Sequence, residues 1–424
     1  MNVSLRYGTT GLEVDLPAGE GFRGVIEPLP VPAIRDPEQQ LYRLLVEPTL
    51  GPSLAGVAAG RRNAVIVISD ITRPVPNRRL LPPVLDTLHA AGLSPERVQI
   101  LIATGIHRPC TPAEIERLVG AEIAGRYAVI NHDSRNTTDM RHVMDIHGDV
   151  PVWVNRHYLA ADLKILTGFI EPHMWAGYSG GRKSVLPGIC AVDTLQYMHG
   201  PAMIAHPGTV YGRLEGNPFH EAGLAVLARC GADFLINVTL DAAHQITGIF
   251  TGHPVEAHRA GCDFLAPRCT QRVTEPLDFI VTTNAGAPLD CNLYQTVKGM
   301  AAAIPALRPG GTILIASACA EGLGSDDYCR VLDKVTDPGR FLDELMAGRW
   351  FIPDQWCAQE TYQIVREYPV WLYTDGISAE TVRRLHLRPV DSISEAVTEL
   401  LGMYGPMARW AVVPDGPMVI LGRD

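Results

Sequence analysis

Short apolar runs that stop abruptly at polar residues set the rhythm of this chain. Residues 64–69 read AVIVIS, 98–103 read VQILIA and 162–167 read DLKILT. Near-continuous runs rich in Val, Ile and Leu fit strands covered on both faces, as parallel strands are. A helical stretch at 78–91 separates the first two runs, and another at 112–119 follows the second. Strand, helix, strand, helix predicts right-handed βαβ units in an open parallel sheet. Ahead of them, residues 1–60 read as short strands and loops followed by a helix near 37–59. Residues 234–239 and 245–250 form a hairpin-like pair, and a helix at 254–262 leads to a second unit. That unit reads as a strand at 277–283, a helix carrying 292–300, and a strand at 311–317. Helices at 339–347 and 354–366 and a strand at 370–374 complete it. The expected fold class is α/β, with two α/β domains, largely parallel sheets and the active site in the cleft between them. Residues 1–268 are assigned to an N-terminal cofactor-anchoring and catalytic domain and 269–408 to a C-terminal domain. The segment 409–424 is expected to return to the N-terminal domain, and its 418–421 run suits either sheet.

Composition narrows the class without naming a function. The chain has 424 residues, 46% of them hydrophobic and 19% charged, enough apolar material for two sizeable cores. A net charge of −10 argues against a general nucleic-acid binder but leaves room for a local basic pocket. The first residues lack an apolar signal-peptide core, and no apolar run is long enough to span a membrane. The nine cysteines include no CxxC pair, which suits reduced thiols in a cytoplasmic protein.

Ligands gather beyond the carboxyl ends of strands in such sheets. Asp70, Thr72, Arg73, His107 and Arg108 follow the first two strands, and Glu171 and His173 follow the third. Imidazoles at a ligand rim suit proton transfer near neutrality. Asp70 and Arg73 could pair with each other, or the arginine could grip a substrate carboxylate. The stretch 171–199, EPHMWAGYSGGRKSVLPGICAVDTLQYMH, is the densest in chemistry. Gly180 and Gly181 allow backbone to approach a ligand closely. Lys183 could bind phosphate, act as a nucleophile or anchor a group covalently. His199 could ligate a metal through a neutral ring. The stretch is not a P-loop, because Arg182 stands where glycine must precede Lys-Ser. Tyr294, Gln295 and Lys298 share one helical face that could be functional or simply solvated. On spacing alone Trp356, three residues before Gln359, suits packing. His132, His142, His147 and His157 match no metal spacing and read as structural or surface residues. GxGxxG after a strand and HExxH are absent from the sequence.

Five of these segments in register resemble the nickel-dependent lactate racemase family. They are SDITRPVP at 69–76, ATGIHRP at 103–109, EPHMWAGYSGGRKSVLPG at 171–188, DTLQYMH at 193–199 and PLDCNLYQTVKGM at 288–300. The resemblance implies a nickel-pincer nucleotide, a pyridinium-derived mononucleotide attached covalently to Lys183, with His199 as metal ligand. It implies His107 and His173 as the catalytic pair, and Asp70, Thr72, Gly180 and Gly181 near the cofactor. Arg73, Tyr294, Gln295, Lys298 and Trp356 are expected to contact substrate, with Gln359 near them. A small 2-hydroxy carboxylate substrate, proteins that make the cofactor and a homodimer are the implied partners.

The chemistry implied is inversion of Cα in a 2-hydroxy acid by hydride removal and return, the two histidines alternating as acid and base. Taking the α-proton instead would place a second negative charge beside the carboxylate. No side chain accepts hydride, so a cofactor must. Met174, Trp175 and Leu293 are expected to flank a short aliphatic side chain, lactate being favoured. Two competing readings are an NAD-linked 2-hydroxy-acid dehydrogenase, which lacks its glycine fingerprint here, and a non-catalytic nickel or organic-acid binding protein.

Overall fold

The computed structural model describes residues 1–17, 19–146 and 150–423. Its first sheet has six strands in the order Ile246–Gly252, Phe234–Leu240, Leu163–Phe169, Ala64–Ser69, Val98–Ala103, Ala128–Asn131. All neighbours run parallel except Ile246–Gly252, which lies antiparallel to Phe234–Leu240 at one edge. Alternation along Ala64–Ser69 builds two cores. Ile66 and Ile68 pack with Leu80, Leu81 and Val84 on one face. Val65 and Val67 pack with Val185, Ile189 and Leu195 on the other. Because both faces are covered, the strand is apolar throughout, as its sequence predicts.

The second sheet also has six strands, all parallel: Arg388–Val390, Val370–Tyr373, Leu307–Ala316, Leu277–Thr283, Trp410–Val413, Phe22–Val25. Two of these correct the division by chain order. Phe22–Val25 is the edge strand beside Trp410–Val413. The hairpin Asn2–Leu5 and Leu12–Asp15 packs Val3, Leu5, Val14 and Leu16 against Phe279, Val281 and Leu314. Residues 1–17 and 19–25 therefore sit on the second unit, not the first. Within 409–424, Trp410–Val413 is an inner strand of the second sheet, and Ile420–Arg423 pairs with Thr270–Val273. Ile420 reaches the first unit, packing near Ile170 and Tyr178. Half-exposed Phe22–Val25 carries no apolar run, and its partner lies at the far end of the chain, so local pattern could not place it.

The short strand Ala128–Asn131 and the hairpin Met140–Ile146 with Val150–Asn155 also carry weak patterns, being partly exposed. The helix expected near 37–59 is two helices, Pro37–Val46 and Leu54–Ala58, each capped by a side chain from Asp36 or Ser53. The nine cysteines are free thiols. Among the described residues no helix is long and apolar enough to cross a membrane.

Candidate active site

Strand register brings the first pair together. Ser69 lies opposite Ala103, so the two strands end level and Asp70 faces the turn that follows Thr104. His107 closes that turn, its N–H donating to the Thr104 carbonyl at 2.9 Å. Its Nδ1 lies 2.7 Å from Asp70 Oδ2. Asp70 is only 3% exposed, and its other oxygen accepts from Thr72 N and Oγ1 at 3.2 and 2.6 Å. Burial acts to raise this carboxyl, but the hydrogen bond and charge of His107, then Arg73 and Thr72, hold it below its ordinary value. An ionised carboxylate can only accept, so the proton between them belongs to Nδ1, and Nε2 is the nitrogen left to face the cleft.

The third strand, Leu163–Phe169, delivers the loop bearing His173. Pro172–His173 pairs with Gly177–Tyr178 in a tight antiparallel turn. Inside it, His173 Nδ1 accepts from the backbone N–H groups of Trp175 and Ala176, each at 3.2 Å. Arg182, 1% exposed, donates to the carbonyls of Ala176 and Tyr178 at 2.6 and 2.9 Å, bracing the turn from behind. The sequence singled out Arg182 only as the residue that breaks a P-loop. Its role as a brace depends on carbonyls it meets only in the fold.

Gly180 and Gly181 sit at φ 81° and 56°, conformations that side chains strain to adopt. A Cβ on Gly180 would lie 2.6 Å from Asn237 Oδ1, and one on Gly181 2.6 Å from the His258 ring. Asn237 Oδ1 holds this corner by accepting from Gly181 N at 2.9 Å. Gly180→Ala is therefore expected to cost about 3 kcal/mol of stability, read as a lowered denaturant midpoint. Lys183 follows directly, its N–H donating to the Gly180 carbonyl at 3.2 Å. A Gly105 N–H to Gly188 O bond at 3.0 Å ties the His107 turn to the lysine loop.

One cleft collects these groups with residues of the second unit. Asp70, Arg73, His107, His173, Gly180, Lys183 and His199 line it from one side, and Tyr294, Gln295, Lys298, Trp356 and Cys357 from the other. Leu293–Ala303 presents Tyr294, Gln295 and Lys298 because Leu293, Val297 and Met300 bury the opposite face. Three contacts close the walls. Tyr211 Oη donates to Lys298 O at 2.9 Å, Gln359 Nε2 to Pro201 O at 3.0 Å, and Trp175 Nε1 to Glu360 Oε2 at 3.2 Å.

The cleft is strongly cationic. Burial, then Arg73 and Arg182, hold the Lys183 amine well below its ordinary value against the opposing charge of Glu171. Burial and Arg73 bring Lys298 to about 8. Burial, then Lys183, Lys298 and Arg73, hold His173 well below its ordinary value. His199 stands among Trp175, Phe219 and Trp356, with ring centroids 5.3, 5.4 and 4.8 Å away. Its Nδ1–H donates to the Leu195 carbonyl at 2.7 Å, which leaves Nε2 as a free lone pair. Burial holds this ring neutral, down to about 4. Among the described residues no cluster of three His, Cys, Asp or Glu side chains could hold a metal by itself. A metal on His199 would need donors from a bound group.

Not every expected residue lines the cleft. Thr72 stands behind Asp70, and Arg73 donates to its Oγ1 at 3.3 Å. Gly181 lies against His258, Leu293 belongs to the core and Arg108 pairs with Glu114 at 2.7 Å. Buried Gln359 serves the domain contact. His132 is fully buried, its Nε2–H donating to the Cys190 carbonyl at 2.9 Å, and His147 lies outside the described residues. Sequence reasoning missed Asn237, Phe219, Cys357 and Asp354. Asp354 holds φ 65° before the helix Gln355–Glu367 and accepts from Ser325 Oγ. Its polar neighbour Tyr294 Oη accepts from Trp356 Nε1 at 3.0 Å. An amide side chain within the largely apolar strand Phe234–Leu240 was the available signal for Asn237.

Similarity to known proteins runs the length of this architecture. Residues 7–212 match the model of the lactate racemase N-terminal domain, and 273–421 that of the lactate racemase C-terminal domain. The lactate racemase of Thermoanaerobacterium thermosaccharolyticum is 35% identical over 424 residues, covering 99% of both chains. That of Lactiplantibacillus plantarum is 34% identical over 387 residues, 91% of each. The solved apoprotein of the former superposes with a TM-score of 0.93 over 99% of this chain and 100% of that one. A Thermotoga maritima protein, 18% identical, shares the fold at a TM-score of 0.72 over 92% of this chain and 99% of that one. Two parallel α/β units with this full-length similarity define an isomerase of the racemase class. The chain belongs to the lactate racemase family.

Proposed function

We propose that the protein inverts Cα of a short aliphatic 2-hydroxy acid, lactate first among them, with a nickel-pincer nucleotide anchored on Lys183. The observation that carries this reading is the convergence of Lys183, Lys298, Arg73, His107 and His173 on one cleft. The residues present fit the nucleotide. Burial holds the Lys183 amine well below its ordinary value, and His199 offers a bare Nε2 in an aromatic shell. Gln295 Oε1 is buried without a hydrogen-bond partner and lies on a residue that lines the cleft. When bound, the nucleotide supplies the hydride acceptor and donor that no side chain can.

The chain's own residues do the rest. Arg73 and Lys298 hold the substrate carboxylate by charge and hydrogen bonds. Met174, Trp175 and Phe219 supply an apolar wall that suits a methyl or short alkyl group. His107, backed by Asp70, takes the hydroxyl proton as the oxo acid forms, and His173 faces the same substrate. Contacts between the two walls help exclude water and retain the oxo acid.

Enantiopure D- and L-lactate, each incubated with protein from cells able to make the nucleotide, are expected to converge on the same mixture by chiral chromatography. Net oxo-acid formation coupled to NAD, or no conversion of any 2-hydroxy acid, would sink the reading. A pH dependence follows from Lys298. With its value near 8, its charge is present below that pH and lost above it. Loss of kcat/KM for anionic substrate is expected above about pH 8, chiefly through KM. Lys298→Arg, which stays charged, should move that limb upward.

A further inference from the structure

One face of a second-unit helix is spent on the first unit. In Gln355–Glu367, Trp356, Gln359 and Glu360 fall at i, i+3 and i+4, which sets them side by side. All three reach across to the first unit, and all three end beside His199. The Trp356 ring lies 4.8 Å from the His199 ring, centroid to centroid. Gln359 Nε2 donates at 3.0 Å to the carbonyl of Pro201, two residues beyond His199. Glu360 Oε2 accepts at 3.2 Å from Nε1 of Trp175, whose ring stands edge-on to His199 at 5.3 Å. Trp356 is held in its turn, since its own Nε1–H goes to Tyr294 Oη at 3.0 Å. His199 itself has one hydrogen bond, from Nδ1 to the Leu195 carbonyl at 2.7 Å. A single bond at one nitrogen fixes a point of the ring but not its plane. The plane, and with it the direction of Nε2, is set by the rings packed around it.

From this geometry we infer that Glu360 and Gln359 are positioning residues for His199. Glu360 clamps the Trp175 ring and Gln359 clamps the turn at Pro201, so the second unit aims a metal-binding nitrogen that belongs to the first. The inference rests on the racemase reading, in which that nitrogen ligates nickel, and gives this helix face a task the reading leaves open. Glu360 and Gln359 stand behind the walls of the cleft, whereas Trp175, Trp356 and His199 line it. Both therefore act through a neighbour, Glu360 through an indole and Gln359 through a backbone carbonyl. Groups placed behind a metal ligand fix its orientation, and losing one typically costs a factor of 10 to 100 in metal affinity. Trp175 is held at two further points. Its carbonyl accepts from Asn217 Nδ2 at 2.8 Å, and its backbone N–H points at His173 Nδ1. With the backbone fixed there, the Glu360 bond decides the tilt of the indole, and the indole decides the room left to His199.

The test has one arm without nucleotide and one with it. Proton–carbon NMR on nucleotide-free protein labelled at histidine Cε1 follows the His199 ring, assigned by its disappearance in His199→Gln. Ring currents from Trp175 and Trp356 displace that resonance in the parent. Glu360→Ala is expected to move it toward the ordinary histidine position, while Glu360→Gln, which keeps an acceptor oxygen, stays with the parent. On nucleotide-loaded protein, nickel is expected to pass to a chelator about tenfold faster in Glu360→Ala and in Gln359→Ala, and at the parent rate in Glu360→Gln. Trp175→Phe loses the indole N–H and should release nickel as fast, and adding Glu360→Ala to it should bring no further loss. An unmoved His199 resonance in Glu360→Ala, parent-like nickel retention, or fully additive losses in the double variant each overturn the inference. A contact that merely joined the units would lower the melting curve in Glu360→Ala and leave the His199 resonance where it was. Should Glu360→Ala fail to fold, Gln359→Ala decides the question by the same two measurements. A parent protein that takes up no nickel overturns the proposed function, whereas the nucleotide-free resonance decides this inference separately.

Discussion

His107→Asn is expected to abolish practical racemisation, lowering the rate about 10³-fold from either enantiomer, while the melting temperature moves by only a few degrees. Asparagine is the informative replacement because its side-chain N–H falls near the position of Nδ1. The donor to Asp70 survives, and the base does not. Alanine would also leave Asp70, buried at 3% exposure, without its main counter-charge. Losing the partner of a buried charge costs folding energy and would confuse a kinetic effect with a structural one. The rate loss should not be rescued by raising pH, since no proton acceptor remains at that position. A variant with a tenth or more of the parent rate in both directions would remove His107 from the chemistry. Chiral chromatography over a time course, paired with thermal melts, separates these outcomes.

The second large effect is expected at Lys183. With Lys183→Arg the peptide carrying residue 183 should show no nucleotide-sized mass adduct, bound nickel should fall to background, and racemisation should vanish. Arginine preserves a cation but not a free amine, because its guanidinium stays protonated. The lysine suits covalent attachment because burial, Arg73 and Arg182 together hold its amine well below the ordinary lysine value, which favours the nucleophilic free base. A second readout needs no cofactor. Lys183→Met should melt higher than the parent when both lack nucleotide, since an apolar side chain then replaces an amine buried among cations. An adduct that persists in Lys183→Arg would place the anchor elsewhere. Racemisation that persists without any adduct would remove the need for covalent attachment altogether.

The chain's own pattern determined a good deal. Runs such as AVIVIS and VQILIA are apolar because each strand is covered on both faces, and that requirement acts residue by residue. The strands Ala64–Ser69, Val98–Ala103 and Leu277–Thr283 were therefore legible, and so was the rim where Asp70, Arg73, His107 and His173 fall. Lys183 and His199 stood out by their place around the Gly180–Gly181 pair, and the family motifs then narrowed the role of each. Tertiary structure decided the rest. Phe22–Val25 and Trp410–Val413 are too short for periodicity to mark, and their pairing joins opposite ends of the chain. Asn237 beneath Gly181, Trp356 against His199 and Arg182 behind the His173 turn are meetings of residues from separate elements. Leu293, expected in the cleft, turns into the core because its helix spends that face on packing. The sequence places two histidines at one rim and makes them look alike. A carboxylate facing one Nδ1 and two backbone N–H groups facing the other make them different, and hydrogen-bond partners of that kind are fixed only by the completed fold.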